Sequence, residues 1–218
     1  MTTLEDLRVL DLSDSIAGAY ATKLFAGYGA DVIAIEPPSG NPLRQTGVWD
    51  ELGANKRSVT LDIETATGRR LFRKMVEQAN VVVETYSPGR VDALRLAFAD
   101  LYGIKRRIIL VSIAPEAGSE AAQRHAGLNA FAAAAIAAHN ADAYEVPQHV
   151  QISVAECVSA AIALGGGLDP GDPPFQMSEV AWVDDGTPGL GEHTAEFLAE
   201  DIGVSPAGLL RLRAAGVI

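Results

Sequence analysis

The stretch Arg8-Val9-Leu10-Asp11-Leu12-Ser13 opens the part of the sequence that decides the fold. It is an apolar run of the length of a single strand. Residues 17–28 follow with apolar side chains at helical spacing, and Gly29 stands where helices commonly end in a left-handed residue. Residues 31–36 are again apolar and are stopped by two prolines. This order of strand, helix and strand predicts a right-handed crossover between two parallel strands.

The turn after the first strand, residues 13–18, is the first candidate for a binding site. Ser13, Asp14 and Ser15 carry oxygens that can cap the helix that follows. In open parallel sheets, ligands bind at the carboxyl ends of the strands. The turn lies at that edge of the predicted sheet.

Strand-like and helix-like runs continue to alternate up to residue 113. This alternation predicts an α/β fold with a doubly wound parallel sheet and helices on both faces. We expect the parallel strands to include Val9–Leu12, Val32–Ile35, Val81–Glu84 and Ile108–Ser112, with another strand at 57–63 and helices at 68–79 and 91–101.

The second half of the chain has a different pattern. An alanine-rich helix is predicted over 121–138, followed by a short strand at 148–153 and a helix at 154–164. A segment dense in proline and glycine comes next, and the tail holds two short helical patterns. The expected organisation is a large domain at 1–164, a bridging segment at 165–189 and a helical C-terminal tail at 190–218.

The composition narrows the classes of function. The chain has 17 Lys and Arg against 28 Asp and Glu, a formal charge of −11, which disfavours nucleic acid and anionic membranes as partners. An anionic ligand would need a locally basic pocket. The acidic start of the chain lacks the apolar core of a signal peptide, and no apolar run reaches the ~18 residues of a membrane span. We therefore expect a cytoplasmic protein.

Generic cofactor and metal motifs are missing from the sequence. It contains neither a dinucleotide-binding glycine pattern nor a Walker phosphate loop. The four histidines do not have the spacing of metal ligands, so no metal site is expected. Cys157 is the only cysteine and lies in an apolar run, which favours an inert thiol over a nucleophile.

Seven stretches carry a resemblance to a known family. They are RVLDLS (8–13), GAYATKLFAGYGADVIAIEPP (18–38), NKRSVTLDI (55–63), ANVVVETYSPG (79–89), RRIILVSI (106–113), QHVQISVAE (148–156) and the pair LGEHTAEFL and LLRLRAAGVI within 190–218. In this order they resemble the family III CoA-transferases, which include formyl-CoA and carnitine CoA-transferases and the α-methylacyl-CoA racemases.

The resemblance implies a Rossmann-like large domain, a small domain and two interlinked subunits. It implies transfer of CoA between carboxylic acids through an aspartyl-CoA thioester, with a carboxylate as the nucleophile. CoA or acyl-CoA is then the expected ligand, and no covalently bound cofactor is expected. The candidate contacts are Ser15, Ile16 and Ala17 along the nucleotide, Thr85 and Tyr86 after the fourth strand, with Tyr86 stacking on the adenine, and Arg44, Lys56 and Arg57 for the phosphates.

The chain departs from the family pattern at the nucleophile. The family places an Asp four residues before a Gly at the start of the alanine-rich helix, and aligning Gly127 with that Gly puts Gln123 in its place. An amide has no charge and cannot replace the carboxylate. Glu116 and Glu120 are the nearest carboxylates and the candidate replacement nucleophiles. Most of the small domain is also expected to be missing, between Leu164 and Leu190.

Three functions remain open from the sequence. The chain is a CoA-binding or partner subunit without the chemistry, an active CoA-transferase or racemase that another subunit completes, or a non-catalytic remnant that keeps only the fold. The expected assembly is a homodimer or a complex with a full-length paralogue, with the tail wrapping either the neighbouring subunit or the large domain.

Overall fold

One parallel sheet organises the part of the chain that the computed structural model describes, residues 4–114, 118–164 and 186–218. Its strands within these ranges are β1 Arg8–Asp11, β2 Asp31–Glu36, β3 Arg57–Thr60, β4 Val81–Glu84, β5 Ile109–Ile113 and β6 Gln148–Ile152. They lie in the order β3-β2-β1-β4-β5-β6, and every neighbouring pair is parallel. The predicted doubly wound α/β fold is confirmed.

Helices cover both faces of this sheet. They are α1 Ile16–Gly27, α2 Trp49–Leu52, α3 Ala66–Gln78, α4 Pro88–Leu94, α5 Phe98–Tyr102, α6 Glu120–Tyr144, α7 Val154–Leu164, α8 Thr194–Glu200 and α9 Pro206–Ala214, with a 3-10 helix at Pro42–Gln45. The helical tail predicted for 190–218 is thus present, and the bridging segment lies outside the described residues over 165–185.

The alternation of strand side chains divides the core into two layers. Val81 and Val83 of β4 pack in the layer that contains α1 and α6, whereas Val82 packs in the layer of α3, α4, α5 and the tail. In the first layer, Phe131 of α6 contacts Phe25 and Tyr28, with ring centroids 4.8 and 5.7 Å apart. Successive strand residues point to opposite faces, so both layers need apolar side chains, and the inner strands β2, β1, β4 and β5 have mainly apolar sequences.

The single helix predicted over 91–101 is wrong. The structure has two short helices there, because Arg95 adopts a left-handed backbone with φ of 59° and ends α4. Leu96 follows directly and is 1% exposed. The break allows Leu96 to reach the core, a tertiary gain that helical periodicity alone does not reveal.

The C-terminal tail packs on the large domain of the same chain. Phe197 of α8 is fully buried, with the guanidinium groups of Arg8 and Arg57 5.6 and 4.8 Å from its ring centre. Both arginines also bind Asp201, at 2.7 and 3.3 Å. The tail was expected to pack either on the neighbouring subunit or on the large domain, and these contacts favour the large domain.

Candidate functional site

The turn after β1 is joined to the end of β4 at the carboxyl edge of the sheet. The backbone N–H of Asp14 donates to Oγ1 of Thr85 at 3.0 Å, and that hydroxyl donates to Oδ1 of Asp14 at 2.7 Å. Thr85 is 1% exposed. The strand order reverses at β1, which has β2 on one side and β4 on the other, so this junction is a topological switch point where ligands of such sheets bind.

The N-terminus of α1 opens onto this junction. Ser15 occupies the N-cap position as predicted, but its side chain makes no capping hydrogen bond. The hydroxyl of Ser13 is directed elsewhere, to Oδ1 of Asp11 at 2.5 Å. The first-turn N–H groups of a helix have no partner within the helix and carry partial positive charge. The turn thus presents hydrogen-bond donors suited to an anion or a carbonyl oxygen.

Gln123 of α6 accepts one of these hydrogen bonds. Its Oε1 lies 3.3 Å from the backbone N of Ala17. The approach depends on Gly127, one helical turn further along α6, where a Cβ atom would lie only 2.5 Å from the carbonyl oxygen of Ala17. The glycine lets α6 and α1 touch, and the same helix face then carries Gln123 to the start of α1.

Tyr86 and Arg90 form the exposed side of the junction. The guanidinium of Arg90 lies 4.0 Å from the ring centre of Tyr86 and pairs with Asp14 and Glu64 at 3.5 and 3.3 Å. Burial raises the pKa of the Tyr86 hydroxyl, so it is neutral. The side chain of Arg90 is 42% exposed. Sequence reasoning missed Arg90, although its position two residues after Pro88, just past a strand end, was the available signal.

Lys56 is held inside the protein. Its ammonium group donates to Oδ2 of Asp11 at 3.0 Å, to the carbonyl of Ala19 at 2.9 Å and to Oγ1 of Thr22 at 2.7 Å. The residue is 3% exposed, and burial lowers the pKa of its amine despite the pull of Asp11. Lys56 therefore does not fit the predicted phosphate contact, because its ammonium group binds residues of α1 and β1 and does not face solvent.

Arg44 and Arg57 are also bound by carboxylates of the protein. Arg44 holds Glu36 through two hydrogen bonds of 2.6 and 2.7 Å and stacks on Trp49, 4.6 Å from the ring centre. Arg57 begins β3 and so lies at the amino edge, where it pairs with Asp31 at 3.3 Å. Neither geometry fits the predicted phosphate contacts: Arg44 is neutralised by a buried carboxylate, and Arg57 is on the opposite edge from the junction.

The candidate replacement nucleophiles differ in what is known of them. Glu120 lies in the first turn of α6 and is half exposed, and its Oε1 binds Arg124 at 2.8 Å. Arg124 is also bound by Glu51 at 2.6 Å. Glu116 lies outside the described residues. The predicted edge residues that the structure does bring together are Ser15, Ile16, Ala17, Thr85, Tyr86 and Gln123.

The described parts of the chain contain neither a metal-binding cluster nor a membrane-spanning helix. Within them, no cluster of three or more His, Cys, Asp or Glu side chains could hold a metal ion. Helices there are also too short or too polar to cross a membrane.

The fold and the junction define a Rossmann-like α/β protein whose polar side chains and first-turn N–H groups meet at the switch point of the sheet. The sequence profile of CoA-transferase family III matches residues 4–168. The chain belongs to this family, and the resemblance seen in the seven sequence stretches is confirmed.

Characterised relatives are similar over part of their length. The chain is 29% identical over 177 residues to the succinyl-CoA–D-citramalate CoA-transferase of Chloroflexus aurantiacus. This match covers 76% of this chain and 44% of that enzyme. It is 36% identical over 121 residues to subunit BbsE of the succinyl-CoA:(R)-benzylsuccinate CoA-transferase of Thauera aromatica. This match covers 50% of this chain and 29% of BbsE. The matched region thus spans less than half the length of these relatives.

A solved structure has a fold similar to that of this chain. A CaiB/BaiF family protein from Brucella suis superposes with a TM-score of 0.67 and 21% identity, covering 99% of this chain and 76% of the other. At this level of identity the likeness concerns the fold alone.

Proposed function

We propose that this chain is a CoA- or acyl-CoA-binding subunit of a family III CoA-transferase and does not itself transfer CoA. The observation that carries this proposal is the hydrogen bond from the Ala17 backbone to Gln123 at the start of α1. When Gly127 is aligned with the family's Gly, this amide oxygen corresponds to the family's nucleophilic carboxylate. Without a carboxylate there, the acyl-enzyme anhydride of the family reaction cannot form.

Binding of the nucleotide is supported by the groups that remain at the junction. Tyr86 offers an aromatic face for the adenine, and Arg90 is a half-exposed cation beside it. The α1 N-terminus adds backbone donors and partial positive charge. Arg90 thus takes the role first given to Arg44, Lys56 and Arg57. Asp14 and Glu64 compete for the same guanidinium, so we expect the affinity for CoA to be modest.

A partner subunit supplies the chemistry in this proposal. BbsE, one of the similar proteins, is itself named as a subunit of a CoA-transferase. On this chain, Ile136 and Tyr144 of α6 are large apolar side chains that are 65% and 70% exposed, and a partner subunit would cover them. The assembly we propose is a homodimer or a complex with a full-length paralogue.

Calorimetric titration with CoA tests the binding. Wild type is expected to bind CoA. Arg90→Ala is expected to bind CoA about tenfold more weakly, because we expect the lost contact to cost about 1.4 kcal/mol of binding free energy, which is a factor of ten in Kd. The matched control is Arg106→Ala, because Arg106 stacks on Tyr102 at 4.6 Å in the same manner but precedes β5 at the amino edge. Absence of binding by wild type, or equal loss in both variants, contradicts the proposal.

Mass spectrometry after incubation with acetyl-CoA tests the missing chemistry. No covalent adduct is expected, and Gln123→Asp alone is expected not to create transfer activity, because catalysis also needs an acyl pocket held in register. An adduct on Glu116 or Glu120 that disappears on its change to Gln would establish an active transferase instead.

A further inference from the structure

A cavity of about 640 Å³ lies beside the junction, on the face of the sheet that carries α4 and α5. The carboxyl-edge residues of β4, β5 and β6 form one side of it. Apolar walls are supplied by Val91, Ala97, Phe98 and Leu110. Tyr86 borders both this cavity and the junction, whereas the α1 turn does not line it. Its size and largely apolar walls suit a small organic ligand.

The register of two neighbouring strands places a hydroxyl and an imidazole together in this cavity. Leu110 of β5 is paired with His149 of β6, and Ser112 with Gln151. Alternate residues share a face, so Ser112 and His149 are diagonal neighbours on the cavity side. Oγ of Ser112 lies 2.9 Å from Nε2 of His149. This is the distance of a nucleophile hydrogen-bonded to its general base.

Each member of this pair also contacts a neighbouring side chain. The imidazole stacks on the ring of Phe98, with centroids 5.7 Å apart and planes 12° from parallel. His149 remains exposed to solvent, and its partial burial lowers the pKa of the imidazole, which favours the neutral ring that can accept a proton. On the other side, the carboxyl of Glu84, 2% exposed, is hydrogen-bonded to Ser112. The Ser112 hydroxyl carries one proton, so it donates to Glu84 when that carboxyl is ionised and to His149 when Glu84 is protonated. Burial raises the pKa of Glu84, which shifts the balance toward donation to His149.

We propose that this cavity is an acyl-hydrolysis site in which Ser112 is the nucleophile and His149 the general base. The substrate class is an uncharged ester or thioester of a short apolar acid. Among the described residues that line the cavity, the charged ones are the carboxylates Glu84, Asp92 and Glu156, with no Lys or Arg. An anionic group beside the reacting carbonyl would be repelled, and the apolar walls favour an aliphatic acyl chain.

The reaction is balanced with water as the second reactant. Oγ of Ser112 forms a bond to the carbonyl carbon while Nε2 of His149 takes the hydroxyl proton. The bond from carbon to the leaving oxygen or sulfur then breaks, and His149 returns the proton to the leaving group. Water attacks the acyl-serine with His149 again as base, and the proton restores the Ser112 hydroxyl as the carboxylic acid departs. No oxidation or reduction occurs.

Hydrolysis of p-nitrophenyl butyrate by the full chain tests the proposal. Wild type is expected to release p-nitrophenol above the background rate. Ser112→Ala and His149→Gln are each expected to lower the enzymatic rate by at least about 100-fold, the usual worth of a general base or more. The matched controls are Ser159→Ala and His139→Gln, outside the cavity, which are expected to keep the wild-type rate. Thermal melting of each variant confirms that it is folded.

Labelling of the wild-type chain supplies a second readout that needs no variant. Phenylmethylsulfonyl fluoride is expected to sulfonylate Ser112, identified by mass spectrometry of the peptide. A wild-type rate no faster than that of Ser112→Ala, or label on a serine other than Ser112, overturns the proposal. The probe contains no CoA, so failure of this site is distinguishable from failure of CoA binding at the junction.

Discussion

The two edges of the sheet handle their charges differently. At the amino edge, Arg8 and Arg57 share Asp31 and Asp201, with ion pairs of 2.7 to 3.3 Å around the buried ring of Phe197. At the carboxyl edge, Arg90 meets its carboxylates at 3.3 and 3.5 Å and is nearly half exposed. Closed ion pairs of the first kind stabilise the tail, whereas the open arrangement leaves a cation accessible to a ligand.

This difference shows why basic residues in sequence are poor guides to a phosphate site. The run Asn55-Lys56-Arg57 is locally basic, yet both of its cations are bound by carboxylates of other elements. A cation contributes to ligand binding only where the fold leaves it partly unpaired and accessible. The four predictions below separate structural from ligand-facing roles, in order of expected effect.

The largest effect is expected at the amino edge. Phe197→Ala removes a fully buried ring and should lower the free energy of unfolding by about 3–5 kcal/mol, measured by urea denaturation. Leu210→Ala, in the same tail but 67% exposed, should change it by less than about 0.5 kcal/mol. Similar small losses in both variants would show that the tail does not pack on the large domain.

The next effect concerns the contact that positions Gln123. Gly127→Ala would place a Cβ 2.5 Å from the backbone oxygen of Ala17, so α1 and α6 must separate. Overpacking of this kind costs about 1–3 kcal/mol, and we expect that loss in urea denaturation. Gly47→Ala is the control, since its Cβ would meet no atom within 4 Å and should be neutral or slightly stabilising. Equal stability of the two variants would contradict the close helix contact.

The sequence predicted the sheet well for a physical reason. The four inner strands, β2, β1, β4 and β5, are buried on both faces and must be mainly apolar, so each of them stands out without knowledge of its neighbours. The sequence also predicted that residues 15–17, Thr85 and Tyr86 lie at the carboxyl edge, because the carboxyl ends of parallel strands share one edge of the sheet.

The missed features depend on partners distant in sequence. Lys56 is neutralised by Asp11, 45 residues away, and Arg57 by Asp201, 144 residues away. Arg95 breaks a helical pattern because Leu96 gains burial. The pairing of Ser112 with His149 follows from the β5–β6 register, which two separate strand patterns do not specify.

A smaller effect is expected from placing a charge at the carboxyl edge. Gln123→Glu keeps the side-chain length and brings a carboxylate to the N–H of Ala17, where the helix terminus favours negative charge. We expect a gain of about 0.3–1 kcal/mol in unfolding free energy at pH 7. The gain should shrink in 1 M NaCl, which screens charges beyond about 3 Å. Destabilisation at low salt would place Gln123 away from the helix terminus.

The smallest effect is a pH dependence that sets Glu84 apart from the amino-edge carboxylates. Burial raises the pKa of the Glu84 carboxyl, and the hydrogen bonds from Ser112 and the Tyr86 backbone oppose this only in part. A carboxyl whose pKa is higher in the folded state binds a proton on folding. Its stabilising contribution is therefore complete below the ordinary glutamate pKa and is lost as the pH rises through the raised value.

Glu84→Gln removes this dependence, because a neutral amide is not penalised for burial as the carboxylate is. The variant is expected to be more stable than wild type at pH 8, and the difference should shrink toward pH 4, measured by urea denaturation at each pH. Glu77→Gln, exposed on α3, is the control and should follow the wild-type curve. If Glu84→Gln were instead less stable at pH 8, the ionised carboxylate would be the form that the carboxyl edge stabilises. The cavity would then hold a fixed negative charge, and Ser112 would donate to Glu84 in preference to His149.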